Sequence, residues 1–464
     1  MTAGPRRPLI TGAGRLDTAG WLPVRAPGDG ELLAEVAAAE VEDVDRAVRA
    51  AAAAWPAWAG LAPPERARAL EDYARRVDDH QPHLARLVHR ETGKPLGEAE
   101  AEVARAAEVL HHFAASAERM WVEQMPGPTL ATGSWVRPAP VGVVAAITPW
   151  NFPVALVVWK LAPALAAGCA VVVKPAIEAP LAAWELCDLA ERAGLPAGLV
   201  SCLTGDGPRV GEALSTHPQV AKVAFTGSRR VAEQIAAWAA PRLKALSLEL
   251  GGHGALVVMP DADLDLAAEV ATMQGYVNSG QACYAVNRVL VPAALRDGLL
   301  ERMRARIAGI ALGPMTTDRG LVRHRMLLEE AAGHPGVEIE GGAEVAPGTL
   351  SPALVTGAGP GVRLVDEEPF TPIVAVMEVA DTDAAVAEAN RPDYGLVNYL
   401  VGRDLRGALE TAQRLRSGTV AVNGWRVVLP YAPYAGWRGS GVGCELGRPG
   451  LEAFVRWQHL RVLG

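Results

Sequence analysis

The 464-residue chain has no surplus of basic residues: 44 Lys and Arg stand against 52 Asp and Glu, a formal net charge of −8. Nucleic acid or an anionic membrane surface would need a concentrated cationic patch, so this balance points away from both as partners. Paired cysteines are also missing. Cys169, Cys187, Cys202, Cys283 and Cys444 are odd in number and form no CxxC motif. Neither a disulfide framework nor a zinc site is supported, no metal is expected, and a reducing, cytoplasmic setting follows, in which any important cysteine acts as a lone thiol. The opening residues MTAGPRRPLITG lack the apolar run of a secretory leader. Only Val154 to Val173 approaches a membrane span in length and apolarity, and Lys160 and Pro163 interrupt it. A mid-span lysine is costly in lipid, so the stretch reads as a buried helix leading into a buried strand. Internal repeats and low-complexity segments are absent as well.

What is present is an α/β pattern too long for one ordinary core, so two or three domains are expected. Residues 40–118 read as a helical block, with apolar residues at three- and four-residue spacing and with Pro63, Pro64 and Gly93 as punctuation. From Val141 short apolar runs (VGVVAAI, AVVVK, LVSCLTG, VAKVAFTG, GALVVM) alternate with amphipathic helices. Such runs form a parallel sheet buried on both faces, here a doubly wound nucleotide-binding candidate. A second alternation, from about Asp261 to Phe454, predicts another α/β domain. Residues 121–140 and 455–464 lack helical period and suit strands exchanged between subunits.

Six clusters follow one another along the chain. They are Pro149-Trp150-Asn151-Phe152-Pro153, Phe225-Thr226-Gly227-Ser228, Glu249-Leu250-Gly251-Gly252, Gly280-Gln281-Ala282-Cys283, Glu367-Glu368-Pro369-Phe370, and Ser440 to Gly447. Together, in this order, they resemble the aldehyde dehydrogenase superfamily over essentially the whole chain. The 34-residue separation of Glu249 from Cys283 fits the same pattern. The resemblance implies a Rossmann-like cofactor-binding domain (1–121 and 141–249), an α/β catalytic domain (250–454), and a β-strand oligomerisation arm (122–140 and 455–464). By family analogy a homodimer or homotetramer is expected.

The chemistry can be reasoned from the residues themselves. A free carbonyl is a poor hydride donor, whereas a tetrahedral adduct is a good one. A thiolate makes the adduct and later leaves, which suits Cys283 as nucleophile; the other four cysteines read as inert. The adduct's oxyanion needs preorganised donors, which the resemblance assigns to the Asn151 amide and the Cys283 backbone N–H. Water must then release the thioester, and Glu249, ending the strand-like ALSLEL, is the base; a carboxylate in apolar surroundings acts near neutral pH. Relatives that pass the acyl group to coenzyme A commonly lack this Glu, so hydrolysis to the free acid is expected. A strand-turn-helix at Phe225 to Ser228 places Gly227 and Ser228 at a helix N-terminus suited to a pyrophosphate. The resemblance adds Thr148, Pro149 and Trp150 near the nicotinamide end and Lys174 on the adenosine ribose. It also puts Glu368 on the nicotinamide ribose, Phe370 beside the ring, and the Leu250 carbonyl on the carboxamide.

Some positions depart from the family pattern. Ile177 stands where a ribose-chelating Glu is usual, which removes a repulsion against a 2′-phosphate, and Arg229 and Arg230 follow the Gly-Ser turn. The cofactor is therefore expected to be NAD or NADP, with NADP acceptance suspected. Ala232, His253, Thr371 and Arg438 are further departures, and none removes a catalytic group. Trp159 stands where relatives acting on succinic semialdehyde often carry Arg. With Phe152 and Tyr434 it predicts an aromatic tunnel for a medium-sized apolar, aromatic or cationic aldehyde. Arg426 is a candidate receptor for a distal anion at the tunnel mouth. The alternatives are a semialdehyde dehydrogenase, a coenzyme A-acylating enzyme, or an idle scaffold.

Overall fold

The computed structural model describes residues 5–12, 14–120, 122–127 and 132–463. Residues 1–4, 13 and 121, in the expected cofactor-binding domain, and residues 128–131 and 464, in the expected arm, lie outside the described residues. The helical block forms α1 (Val41–Ala59), α2 (Pro63–Thr92) and α3 (Leu96–Ala117). Pro63 starts α2 with its φ already set, and Gly93 ends it at φ +79°, a left-handed turn that favours glycine. The stripe Leu70, Tyr73, Ala74, Val77, Leu84 and Val88 is buried, which explains the helical period.

Among the described residues two large sheets dominate. The first has the strand order Gly441–Val442, Ala245–Glu249, Val220–Thr226, Val143–Ile147, Ala170–Lys174, Val200–Cys202, Leu9–Thr11, Gly14–Leu16. Its five central strands are parallel, and their apolar runs are buried on both faces. Four helices alternate with them: α4 (Ala155–Ala167), α5 (Leu181–Arg192), α6 (Gly207–Thr216) and α7 (Arg229–Ala239). Strand order reverses beside Val143–Ile147, so a crevice opens beyond the carboxyl ends of that strand and of Val220–Thr226. The second sheet runs Glu338–Gly341, Ala353–Thr356, Ile373–Val379, Val286–Pro292, Gly254–Val258, Val397–Val401, Thr419–Val422, parallel except at its first edge.

No described helix is long and apolar enough to cross a membrane, and Val154 to Val173 resolves into α4 and the strand Ala170–Lys174. Strands Glu123–Pro126, Gly133–Pro140 and Val455–Val462 form a separate three-stranded sheet. Residues 6–37, in which no strand was expected, supply Leu9–Thr11 and Gly14–Leu16 to the first sheet and build a small sheet of Arg6–Arg7, Leu32–Ala37 and Trp21–Arg25. The chain also crosses the boundary expected at 249/250. Gly441–Val442 pairs with Leu248 and Glu249, because the edge of the first sheet offers unpaired backbone that this short strand satisfies.

Candidate active site

The two sheets present their functional loops to one another. Thr148 to Phe152 follow the strand Val143–Ile147, and Gly227 and Ser228 follow Val220–Thr226. Glu249 is the last residue of its strand, while the Cys283 loop precedes Val286–Pro292. That loop is tightly wound, with Asn278, Ser279 and Gly280 at φ +49°, +56° and +74°. A side chain at Gly280 would strike the Thr371 carbonyl, and one at Gly252 would strike the carbonyl of Cys283, so both glycines permit close approach of backbones. Asn151 is tied to the same loop: its Nδ2 donates to the Gln281 carbonyl at 2.9 Å, and Asn278 Nδ2 donates to the Asn151 carbonyl at 3.0 Å. An amide carries two N–H groups, so this bond leaves one of them for an oxyanion.

Residues 434–436 link Cys283 and Glu249. Tyr434 Oη lies 3.5 Å from Cys283 Sγ, and the Gly436 N–H donates to Glu249 Oε1 at 3.4 Å. Burial pushes the Cys283 thiol up to about 12; the Tyr434 hydrogen bond opposes this, and the charges of Glu368 and Glu249 add to it. Glu249 is held well above the usual carboxylate range by burial and by the neighbouring Glu445, with Lys160 and the Gly436 N–H pulling the other way. Glu445 itself receives Lys160 Nζ at 2.6 Å, and Lys160 also donates to Thr226 Oγ1 at 2.6 Å. This resolves the lysine in the apolar run: it is a buried partner of Glu445. Glu249 Oε2 and Glu445 Oε2 are both buried without a hydrogen-bond partner among the described residues.

A second buried pair went unread in the sequence. Lys94 Nζ bonds Glu102, donates to the Asn151 carbonyl at 3.0 Å and sits 3.9 Å from the Phe152 ring centre. Glu102 Oε1 accepts the backbone N–H groups of Val154 and Ala155 at the start of α4. Glu98 accepts the Asn278 N–H at 2.8 Å. The signal was three glutamates and a lysine within the segment 94–102, which looks like an ordinary solvated helix start until the tertiary fold buries Lys94 and Glu102.

A cleft of about 1200 Å³ reaches from Glu178 and Ser228 to Trp150, Gln281 and Phe370. Trp150 and Phe370 meet edge to face at 5.7 Å, and half-buried Pro149 precedes them. Ser228 stands at the N-cap position of α7 with its hydroxyl making no capping bond, Gly227 N–H donates to the Glu249 carbonyl, and Leu250 N–H donates to the Ser440 carbonyl. Buried Lys174 donates to the Pro175 carbonyl, and the Thr148 hydroxyl is buried without a partner among the described residues. Glu368 accepts the Gly252 N–H at 3.0 Å, and burial raises its carboxyl to about 8. Arg323, also missed in the sequence, lines the cleft and donates to the Pro369 and Glu368 carbonyls, fixing the loop that carries Glu368 and Phe370.

Three expectations meet a different geometry. Arg229 is committed to Glu233 and Asp393, so its charge is spent on neighbours, whereas Arg230 is exposed at the start of α7. Ile177 packs with Leu22, Leu33 and Leu87 against the small N-terminal sheet, and it is Glu178 that lines the cleft. Arg426 lines a hollow of about 370 Å³ with Ala421, Val422, Gly424 and Trp425. The aromatic residues do come together: Trp159 and Tyr434 rings lie 5.1 Å apart, and Phe152 and Tyr284 rings 5.7 Å apart. The remaining departures serve structure. Buried His253 faces Asn287 and the Val365 carbonyl, and Thr371 faces His324.

A family model described as the aldehyde dehydrogenase family matches residues 16–460. The chain is 35% identical to the glutarate-semialdehyde dehydrogenase of Pseudomonas aeruginosa, covering 96% of this chain and 94% of that protein. It is 34% identical to the succinate-semialdehyde dehydrogenase (NADP+) of Escherichia coli, over 94% and 93% respectively. Among solved structures, an E. coli NADP-dependent enzyme superposes with a TM-score of 0.96 at 32% identity, covering 98% of both chains. The betaine aldehyde dehydrogenase of Staphylococcus aureus in complex with NAD+ superposes with a TM-score of 0.95 at 30% identity, over 98% and 95%.

Proposed function

Because the chain belongs to the aldehyde dehydrogenase family, we propose that it oxidises an aldehyde to a free carboxylic acid, with Cys283 as nucleophile and Glu249 as hydrolytic base. The bridge of Tyr434 to Gly436 between Cys283 Sγ and Glu249 Oε1 is the observation that carries this reading. The cleft fits a nicotinamide dinucleotide: it has the volume, an aromatic pair in Trp150 and Phe370, and Ser228 at the N-terminus of an eleven-residue helix, with the buried, partnerless Thr148 hydroxyl two residues before Trp150. Gly227, Ser228 and Lys174 would hold its phosphate and adenosine end; Thr148, Pro149, Trp150, Leu250, Glu368 and Phe370 its nicotinamide end. When bound it supplies the hydride acceptor that turns the Cys283 adduct into a thioester.

The chain's own residues do the rest. Cys283 Sγ adds to the carbonyl carbon, and the oxygen's developing charge is met by the Asn151 amide and the Cys283 N–H. Glu249, its pKa raised by burial, takes the proton of the water that attacks the thioester, and the Cys283 thiolate leaves. Phe152, Trp159, Tyr284 and Tyr434 form an aromatic wall that suits a medium-sized apolar, aromatic or cationic aldehyde. The buried cations beside it, Lys94 and Lys160, are already bound to Glu102 and Glu445. The names of the relatives support a second reading, a semialdehyde with a distal carboxylate. In that case exposed Arg105 on α3, whose charge acts on Tyr284, is a better receptor than Arg426. Both NAD and NADP are within the reading: Arg230 favours a 2′-phosphate, and Glu178 in the cleft disfavours it. The sheet of Glu123–Pro126, Gly133–Pro140 and Val455–Val462 exposes Trp457, Leu460 and Val462 and is the proposed self-association arm.

The test is a panel of neutral, aromatic, cationic and carboxylate-bearing aldehydes with each dinucleotide, with and without coenzyme A, read by nicotinamide absorbance and product identity. Free acid is the expected product. Cys283→Ala should abolish turnover while dinucleotide binding persists; full turnover by that variant would overturn the reading.

A further inference from the structure

Tyr434 was expected only to furnish a tunnel wall, yet its hydroxyl does something a phenylalanine cannot. The residue is 2% exposed, and its Oη lies 3.5 Å from Cys283 Sγ, within range for an O–H···S contact, with no other hydrogen-bond partner among the described residues. The ring has little freedom to turn elsewhere. Trp159 meets it edge to face at 5.1 Å, and the Tyr434 backbone is held on both sides by Glu445, N–H to carbonyl and carbonyl to N–H, at 2.7 and 2.8 Å.

We propose that Tyr434 is a catalytic residue whose hydroxyl donates a hydrogen bond to Cys283 Sγ and stabilises the thiolate that attacks the aldehyde. The inference rests on Cys283 being the nucleophile. A buried phenol is suited to the task because it keeps its own proton: burial and the nearby Cys283, Glu249 and Tyr399 hold Tyr434 well above the usual phenol range. Around the sulfur the other titratable groups do not help. Glu249 from the first sheet and Glu368 from the loop before Ile373–Val379 both disfavour a second negative charge. Tyr284 on the same loop and Tyr399 on Val397–Val401 are themselves shifted up and stay neutral, and Tyr399 Oη donates to the Tyr284 carbonyl instead of to the sulfur. Glu445 acts on Glu249, and Lys160 is bound to Glu445. Tyr434 is thus the side chain that donates a hydrogen bond to Sγ. A hydrogen bond to a charged group shifts the equilibrium towards that charged form, here by about one pH unit.

Tyr434→Phe removes the hydroxyl and keeps the ring. The measurement is the pH dependence of Cys283 alkylation by iodoacetamide in the full chain, with the labelled site read by mass spectrometry and Cys283→Ala as the reference. The expected result is a midpoint about one unit higher in Tyr434→Phe and alkylation about tenfold slower at any pH below both midpoints. The acidic limb of kcat/KM should move up with it, while dinucleotide affinity stays unchanged. An alkylation profile identical to that of the parent chain overturns the Tyr434 role and leaves Cys283 standing. If alkylating Cys283 leaves turnover intact, it is the nucleophile assignment that fails. Tyr434→Trp, bulkier and without a donor at that position, separates the hydroxyl from ring packing: it too should raise the midpoint.

Discussion

Two buried lysine–glutamate pairs flank the catalytic loop, and they differ in how completely they are satisfied. At Lys94–Glu102 both carboxylate oxygens are engaged: the carboxylate accepts from the lysine and from two backbone N–H groups, and the lysine donates to the carboxylate and to the Asn151 carbonyl and lies over the Phe152 ring. At Lys160–Glu445 one carboxylate oxygen is left without a partner, and so is one oxygen of the adjacent Glu249. A partnerless buried polar atom is costly, and such cost is tolerated where the atom has work to do. The satisfied pair is a fastener that fixes Asn151. The unsatisfied one lies beside Glu249, the proposed base, where protons must arrive and leave.

The largest expected effect is at the base itself. Glu249→Gln should lower kcat by about 10²–10⁴-fold and leave a burst of reduced nicotinamide, because the thioester forms and is not released. A burst-free variant with unchanged kcat would dissolve the distinction, since the partnerless oxygens would then have no function.

Next come the fasteners. Lys94→Met strands Glu102 and should cost about 3–5 kcal/mol of stability, measured by denaturant unfolding, and lower kcat through Asn151. Adding Glu102→Gln should restore most of that stability, because both charges are then gone and the amide oxygen still accepts from Val154 or Ala155. The comparison sharpens if the matching double variant, Lys160→Met with Glu445→Gln, regains stability and not rate.

The smallest effect is a displacement in pH. Glu445 raises the Glu249 pKa, so Glu445→Gln should lower it, and the acidic limb of kcat should move to lower pH. Movement in the other direction would mean that Lys160 or solvent, and not Glu445, sets the base.

Much of this was legible in the chain. The apolar runs located the parallel strands because parallel sheets bury both faces, and the ordered motifs located Cys283, Glu249 and Asn151 on loops at strand ends. Legibility failed where meaning depends on what folds against a residue from far away. Lys94 and Glu102 sit in a sequence that looks solvated and are buried only because α3 meets α4. Arg229 looked free for a phosphate until Asp393 arrived from the loop before Val397–Val401. Ile177 and Glu178 differ by one position, and only the fold decides which of them faces the cleft. Tyr434 was visible as an aromatic ring, but its hydroxyl acquires meaning from a sulfur 151 residues earlier.

The strand Gly441–Val442, laid against Leu248 and Glu249, also has a consequence for how the protein is made. Tyr434, Gly436 and Glu445 all lie close to it, near the carboxyl end of the chain, while the residues they serve emerge from the ribosome long before. A nascent chain carrying Cys283 has neither the hydroxyl beside the sulfur nor the carboxylate beside the base. On the proposed roles of Cys283, Glu249 and Tyr434, full reactivity waits until this segment has been made and folded back, and a variant lacking it should have a sluggish Cys283 thiol.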